Sequence, residues 1–291
     1  MADTIGFLSS TPSAGFEHLL RAFLAGLRVN KPKNMDVVTL EAWAGGDYGR
    51  LDGLASGLIE CDVKLLVAAG GIVAAQAAIN AAKKKNIPVL YVIGRDSAQD
   101  NLNYGNGKGT NVNTSDLIKD RYNDLKAILG PNARIFLLVN PRTRVAEHEK
   151  QQFKQLGGKY EASSLSELQE AFQCLKDKEK ADGVIFSADP YHNSQRQIIV
   201  ELAAKYGIPA SYPWSEYVEA GGLISRGSDL RRVYFNLGRM AAESLSGKSL
   251  AAVEQFSKAG APKLAINLRT ALVLGRDIPD SLLSDADILV Y

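Results

Sequence analysis

Hydroxyls, glycines and lone acids recur directly after apolar runs in this chain. Ser9, Ser10, Thr11 and Ser13 follow "IGFL", and Gly70 and Gly71 follow "LLVAA". Arg95, Asp96 and Ser97 follow "VLYVIG", and Asn140 follows "FLLV". Ser187, Asp189 and Tyr191 follow "GVIF", and Trp214, Ser215 and Glu216 follow "IPASYP". Where such a loop opens a helix, the first turn has unpaired N–H groups, so hydroxyls and glycine amides there can hold a carboxylate or another anion. The same residues also suit plainer roles, Ser10 and Ser13 as helix caps and Gly70–Gly71 as a turn. Both readings stand for any single loop. The case for a ligand is that polar loops from both halves of the chain face one crevice. Asp189 and Glu216 could pair for acid–base work, although lone acids in such loops more often cap or hydrogen-bond.

Other chemistries fit less well. A dinucleotide site wants G-x-G-x-x-G after the first strand, and "FLSSTPSAG" has no such glycines. "GNGKGT" at Gly105 lacks phosphate-loop spacing and reads as loop. His18, His148 and His192 are scattered and read as solvated, which leaves no metal site and no triad. Cys61 and Cys174 read as two reduced core thiols, too few for a disulfide framework or a four-cysteine metal site. Lys and Arg number 34 against 32 Asp and Glu, so no concentrated basic face for nucleic acid is expected. No apolar run approaches the roughly 18 residues of a membrane span. No catalytic residue, metal or cofactor is assigned.

The elements that must position these loops alternate. "TIGFLSS", "MDVVTLEAW", "VKLLVAAG" and "IPVLYVIG" read as strands, separated by helical stretches such as "GFEHLLRAFLAGLRV" and "VAAQAAINAAKKKN". The two nearly continuous apolar runs suit strands buried on both faces of a parallel sheet. Residues 100–116, rich in glycine and asparagine, break the rhythm as a flexible loop or a crossing between domains. The alternation then restarts with "ARIFLLVNP", "ADGVIFSADP" and "IPASYPW" as strands. Repeated βα units predict parallel sheets covered by helices, and the restart predicts two similar lobes. The tail, with "SDLRRVYFNLGRMAAESLSG" as a long amphipathic helix, "VEQFSK", "KLAINL" and a closing helix, is too small for a third domain. It must complete the two sheets already begun.

From residue 202 onward the chain resembles the extracytoplasmic substrate-binding proteins of ABC transporters, in the group with members that bind tryptophan and other aromatic amino acids. The motifs are "LAAKYGIPA" at 202–210, "EAGGL.S.G" at 219–227 and "INL.TA..LG..IP.SLL..AD" at 266–287, with looser similarity in "IGFLSS" and "IVAAQAAINAAKKKNIPVL". The resemblance implies the type I periplasmic-binding-protein fold: α/β, two Rossmann-like lobes with parallel sheets, joined by a three-crossing hinge. The first lobe is then expected over 1–111 plus 223–252 and the second over 112–222 plus 253–291, with "GGL" as a crossing segment. Departures from the family pattern fall in the loops: "GRDS" follows the fourth strand, and "SRG" stands at 225–227. Arg95 and Arg226 would there add positive charge for an anionic or zwitterionic ligand, or make structural ion pairs.

The function expected is capture of a small polar or zwitterionic, amino acid-like ligand by lobe closure, without catalysis. Ser9, Ser10, Thr11, Gly70 and Gly71 would hold one end of the ligand, with Asn140 and Ser187 lining the other lobe. Asp189 would accept from an amino group, and Tyr191 or Trp214 would stack on a planar part. Asp189→Ala and Trp214→Ala are expected to weaken binding with little change in the melting temperature of the empty protein. The partners implied are the small-molecule ligand and an ABC permease in the membrane, with no nucleic acid. The protein is expected to be a monomer. Its expected location is periplasmic, or extracytoplasmic with a lipid anchor, its signal sequence having been removed. A cytosolic sensor domain of the same fold and a two-lobed α/β enzyme are the alternatives. The first would need a DNA-binding helix-turn-helix, the second a nucleophile–base pair.

Overall fold

A computed structural model describes residues 2–94, 102, 104–111, 117–253 and 261–291 of the chain. Two compact units divide it: residues 1–112 with 230–259, and residues 113–229 with 260–291.

The first unit opens with β1 (Asp3–Ser9), α1 (Glu17–Asn30) and β2 (Val37–Trp43). A single 3-10 turn (Tyr48–Arg50), α2 (Leu51–Glu60), β3 (Leu65–Ala69), α3 (Ile72–Ala82), β4 (Val89–Ile93) and β5 (Gly107–Asn111) follow. The sheet runs β2-β1-β3-β4-β5, with every pairing parallel. β3 and β4 are buried along their whole length, because helices cover both faces. "GNGKGT" departs from expectation: it forms β5 against β4. Strand propensity is low there, yet the open edge of β4 offers a complete ladder of backbone partners, and pairing overrides propensity.

The second unit continues with α4 (Ile118–Leu129), β6 (Ile135–Val139), α5 (Arg144–Phe153), β7 (Lys159–Glu161), α6 (Leu165–Asp177) and β8 (Gly183–Phe186). Next come α7 (Pro190–Ser194), α8 (Arg196–Tyr206), β9 (Ala210–Tyr212), α9 (Ser215–Glu219) and β10 (Ile224–Gly227). The chain then contributes α10 (Leu230–Leu245) to the first unit. It ends in the second with β11 (Lys263–Asn267), α11 (Leu268–Val273), α12 (Asp280–Asp285) and β12 (Ile288–Val290). The sheet order is β12-β11-β10-β9-β8-β6-β7. Only the β10–β11 pairing is antiparallel among the described pairs.

The tail thus completes only one of the two sheets: β11 and β12 extend the second, while the first unit receives a helix, α10, and, among the described residues, no strand. "GGL" is not a crossing. It is the turn between α9 and β10, where Gly221 has φ 107° and a Cβ on Gly222 would lie 2.5 Å from the Tyr212 ring. β10, expected in the first lobe from residue 223, instead hydrogen-bonds β9 and β11 in the second. Of the remaining tail, residues 254–260 of "VEQFSK" and its continuation lie outside the described residues.

α1 and α10 pack at unusually short range through two glycines. A Cβ on Gly26 would collide with the Phe235 carbonyl, and one on Gly238 with the Phe23 carbonyl. Backbone cannot swing aside as a flexible side chain would, so Gly238→Ala should destabilise by about 1–3 kcal/mol. Gly53 in α2 has nothing within 4 Å of the point where a Cβ would stand, so Gly53→Ala should stabilise by about 0.5–1 kcal/mol. Urea midpoints of the two variants should move in opposite directions.

Candidate functional site

In an open parallel sheet, ligands bind at the carboxyl ends of strands where the strand order reverses. In the first unit this point lies between β1 and β3, since β2 lies on one side of β1 and β3 on the other. Ser9, Ser10 and Thr11 leave β1 there, and Gly70 and Gly71 leave β3. The Ser10 hydroxyl donates to the Gly70 carbonyl at 2.7 Å, and the Ser9 and Thr11 hydroxyls lie 2.9 Å apart. All three residues are fully buried. Gly70 and Gly71 have φ of 88° and 86°, and a Cβ on Gly70 would strike Ser10 Oγ. Of the three hydroxyls read as ligand donors, that of Ser10 locks the two loops together, and those of Ser9 and Thr11 engage each other within one loop. Gly71 starts α3 without a side-chain cap, so the first-turn amides of α3 are the donors left over.

The second unit reverses its strand order between β6 and β8. Asn140 leaves β6, and residues 187–189 leave β8. Again a cross-loop bond joins them: Asn140 Nδ2 donates to Asp189 Oδ1 at 3.2 Å. The same oxygen accepts the His192 amide at 2.8 Å, so Asp189 caps α7, with Pro190 in its first position. Asp189 is fully buried, and its second oxygen, Oδ2, has no hydrogen-bond partner.

Behind this loop lies an ion pair with no solvent exposure. Arg121 of α4 donates to Glu149 of α5 at 3.0 Å. Arg121 also donates to the carbonyls of Phe186 at 2.8 Å and Leu117 at 3.3 Å. Glu149 accepts the Ala188 amide at 3.3 Å, while the buried Ser187 hydroxyl has no hydrogen-bond partner. Burial pushes the Glu149 carboxyl up and the Arg121 guanidinium down from their ordinary values, and each partner's charge opposes the push on the other. The pair grips a carbonyl and an amide on either side of Ser187, which fixes the course of the chain into Asp189.

The remaining candidates are placed as follows. Tyr191 sits on α7, partly exposed. Trp214 is only 4% exposed, so Trp214→Ala opens a core hole at a cost of about 3–5 kcal/mol and is not the neutral reporter expected. Asp189→Ala likewise removes a helix cap. Arg226 lies on β10 and binds Asp124 of α4 by two bonds of 2.6 and 3.0 Å within the second unit. Arg95 and Asp96 lie outside the described residues. Among the described residues no group of His, Cys, Asp or Glu is arranged to hold a metal.

Two readings from the sequence need correction. His192 is not solvated: it is fully buried, with Nε2 2.9 Å from the Ala162 carbonyl and its ring edge-on to Phe186. Cys61 is exposed and Cys174 half-buried, because both fall at or near the solvent faces of their helices.

Sequence reasoning named Tyr191, Trp214 and Glu216 but missed two residues among them. Asn193 is fully buried, with neither amide atom partnered. The Tyr217 hydroxyl is fully buried and also without a partner. Each such atom costs about 1–3 kcal/mol unless something meets it. Asn193 could have been found from its spacing, four residues beyond Asp189 and hence one helical turn along the same face. Tyr217 carries no comparable signal, since an aromatic on a short helix reads as core. Burial pushes its phenol well above the ordinary range, and the Asp189 charge adds to the push, so it remains a donor.

Removing Glu149 alone strands a buried guanidinium. Glu149→Ala should cost about 3–5 kcal/mol, whereas the apolar pair Arg121→Met with Glu149→Leu should recover most of that loss. Melting temperatures of the single and the double variant measure the difference.

Among the described residues no helix is long and apolar enough to cross a membrane. The family model for ABC transporter substrate binding proteins matches residues 16–290. No curated protein matches the chain. Among solved structures, the chain is similar to the ABC domain from Streptococcus pneumoniae in complex with L-Trp, at 20% identity and a TM-score of 0.81, covering 98% of this chain and 100% of that one. It is also similar to a conserved domain protein from Vibrio cholerae, at 20% identity and a TM-score of 0.83, covering 99% and 100%. A ligand-free, open substrate-binding protein with adhesive properties from Clostridium difficile matches at 20% identity and a TM-score of 0.61, over 99% of each chain. At these identities the likeness establishes the fold: two α/β lobes of the type I periplasmic-binding-protein kind.

Proposed function

We propose that this chain, which belongs to the ABC transporter substrate-binding protein family, captures a small zwitterionic, amino acid-like ligand outside the cytoplasm and delivers it to a membrane permease for import. One observation carries the ligand class. Asp189 presents a buried carboxylate at a switch point, with one oxygen engaged and the other without a partner. A buried carboxylate oxygen calls for a strong donor, and a ligand ammonium is the donor that also neutralises the charge. The neighbour from Streptococcus pneumoniae, bound to L-Trp, supports the amino acid class. Ligand-induced closure, action as a monomer and the absence of catalysis belong to the same reading.

A thermal-shift screen of amino acids, small carboxylates and purines tests the proposal. An amino acid at 100 times its Kd should stabilise the protein by about 2.7 kcal/mol. Asp189→Asn keeps a capping oxygen and removes the charge, so it should weaken that ligand at least about tenfold with little change in the empty protein's melting temperature. Shifts from purines or simple carboxylates alone, or an unchanged affinity in Asp189→Asn, would refute the assignment.

A further inference from the structure

We infer that Asn193 and Tyr217 form a polar subsite beside Asp189 that selects a ligand whose side chain is neutral and carries both a hydrogen-bond donor and an acceptor. The inference deepens the reading of Asp189 as the ammonium partner and rests on it.

Asp189 and Asn193 follow β8 directly, and Tyr217 is linked to the end of that strand by packed rings. The Asn193 backbone N–H donates to the Asp189 backbone carbonyl at 3.0 Å, which sets the Asn193 side chain one turn along from the Asp189 carboxylate. Tyr217 arrives from α9 through an aromatic stack. Its ring lies 4.6 Å from that of Tyr212, nearly parallel to it. Phe186, at the end of β8, packs against Tyr212, Tyr217 and the His192 ring. The stack thus brings α9 to the end of the strand that carries Asp189, close enough for the Tyr217 phenol to feel the Asp189 charge.

The unmet atoms define the ligand. Asn193 Nδ2 and the Tyr217 hydroxyl are donors, while Asn193 Oδ1 and Asp189 Oδ2 are acceptors. With Asp189 Oδ2 given to the ammonium, Asn193 and Tyr217 contribute one acceptor and two donors, beside the unmet Ser187 hydroxyl and His192 Nδ1 of the same loop. An apolar side chain would leave all three unmet. A carboxylate would use the donors, leave Asn193 Oδ1 unmet and set a second negative charge beside Asp189. A cationic side chain would satisfy the acceptor and leave both donors bare. A carboxamide or similar neutral group meets both kinds. Sites that bind by hydrogen bonds reject analogues lacking the group, because their own polar atoms are then left unpaired.

Two near-isosteric sets provide the probes: L-asparagine, L-aspartate and L-leucine, and L-glutamine, L-glutamate and L-methionine. Calorimetric titration of the full chain should show the carboxamide member of at least one set binding at least about tenfold more tightly than its two partners. Tyr217→Phe and Asn193→Leu should each erase that preference. In the empty protein both should leave the melting temperature unchanged or raise it, since each deletes unmet polar atoms. A loss of more than about 5 °C in Tyr217→Phe would mark the hydroxyl as structural, serving ordered water only, and would overturn the inference. Equal binding within both sets would overturn it while leaving the amino acid reading intact. No binding by any of the twenty amino acids would overturn both.

Discussion

The second unit depends on a charge pair sealed from water. Arg121 and Glu149 gain little from mutual attraction alone, because removing two charges from solvent costs several kcal/mol each. The pair is sustained by its further hydrogen bonds. Arg121 reaches the Phe186 and Leu117 carbonyls, and Glu149 receives the Ala188 amide. These contacts tie α4 and α5 to the loop leaving β8. A loop held this way is ordered by the protein's own contacts, which the proposed role of Asp189 requires.

The first unit solves the same topological problem without charge. Its switch-point loops are joined by Ser10 to Gly70, a neutral bond between a short side chain and backbone. Glycines at 70 and 71 let the backbones approach closely, and little polar capacity is left over. The second unit uses longer side chains, Asn140 and Asp189, and leaves buried polar atoms unmet. In the proposed reading, those unmet atoms are the ones that a ligand would satisfy, at a cost in stability to the empty protein.

The late segments of the chain matter for the same architecture. α10 supplies the partner for α1, and the close approach at Gly26 and Gly238 leaves no room for a side chain. β10, β11 and β12 extend the second sheet beyond β9, with β11 reversed. β9, from which Pro213 and Trp214 depart, becomes an interior strand, and Trp214 is buried with it.

The sequence by itself determined the periodic elements, the two-fold alternation and the loops in which polar residues follow apolar runs. These depend on local spacing, which a chain carries wherever its parts end up. It also placed Asn140, Ser187 and Asp189 at strand ends, and those residues do meet at one switch point. It could not decide that Ser10 engages Gly70, that Arg226 belongs to Asp124, or that a glycine-rich stretch becomes β5. Nor could it rank Asn193 and Tyr217 above Tyr191. Whether a polar atom has a partner is decided by residues far away in sequence, from 60 positions for Ser10 to 102 for Arg226. Only the folded packing brings those partners together or leaves an atom without one.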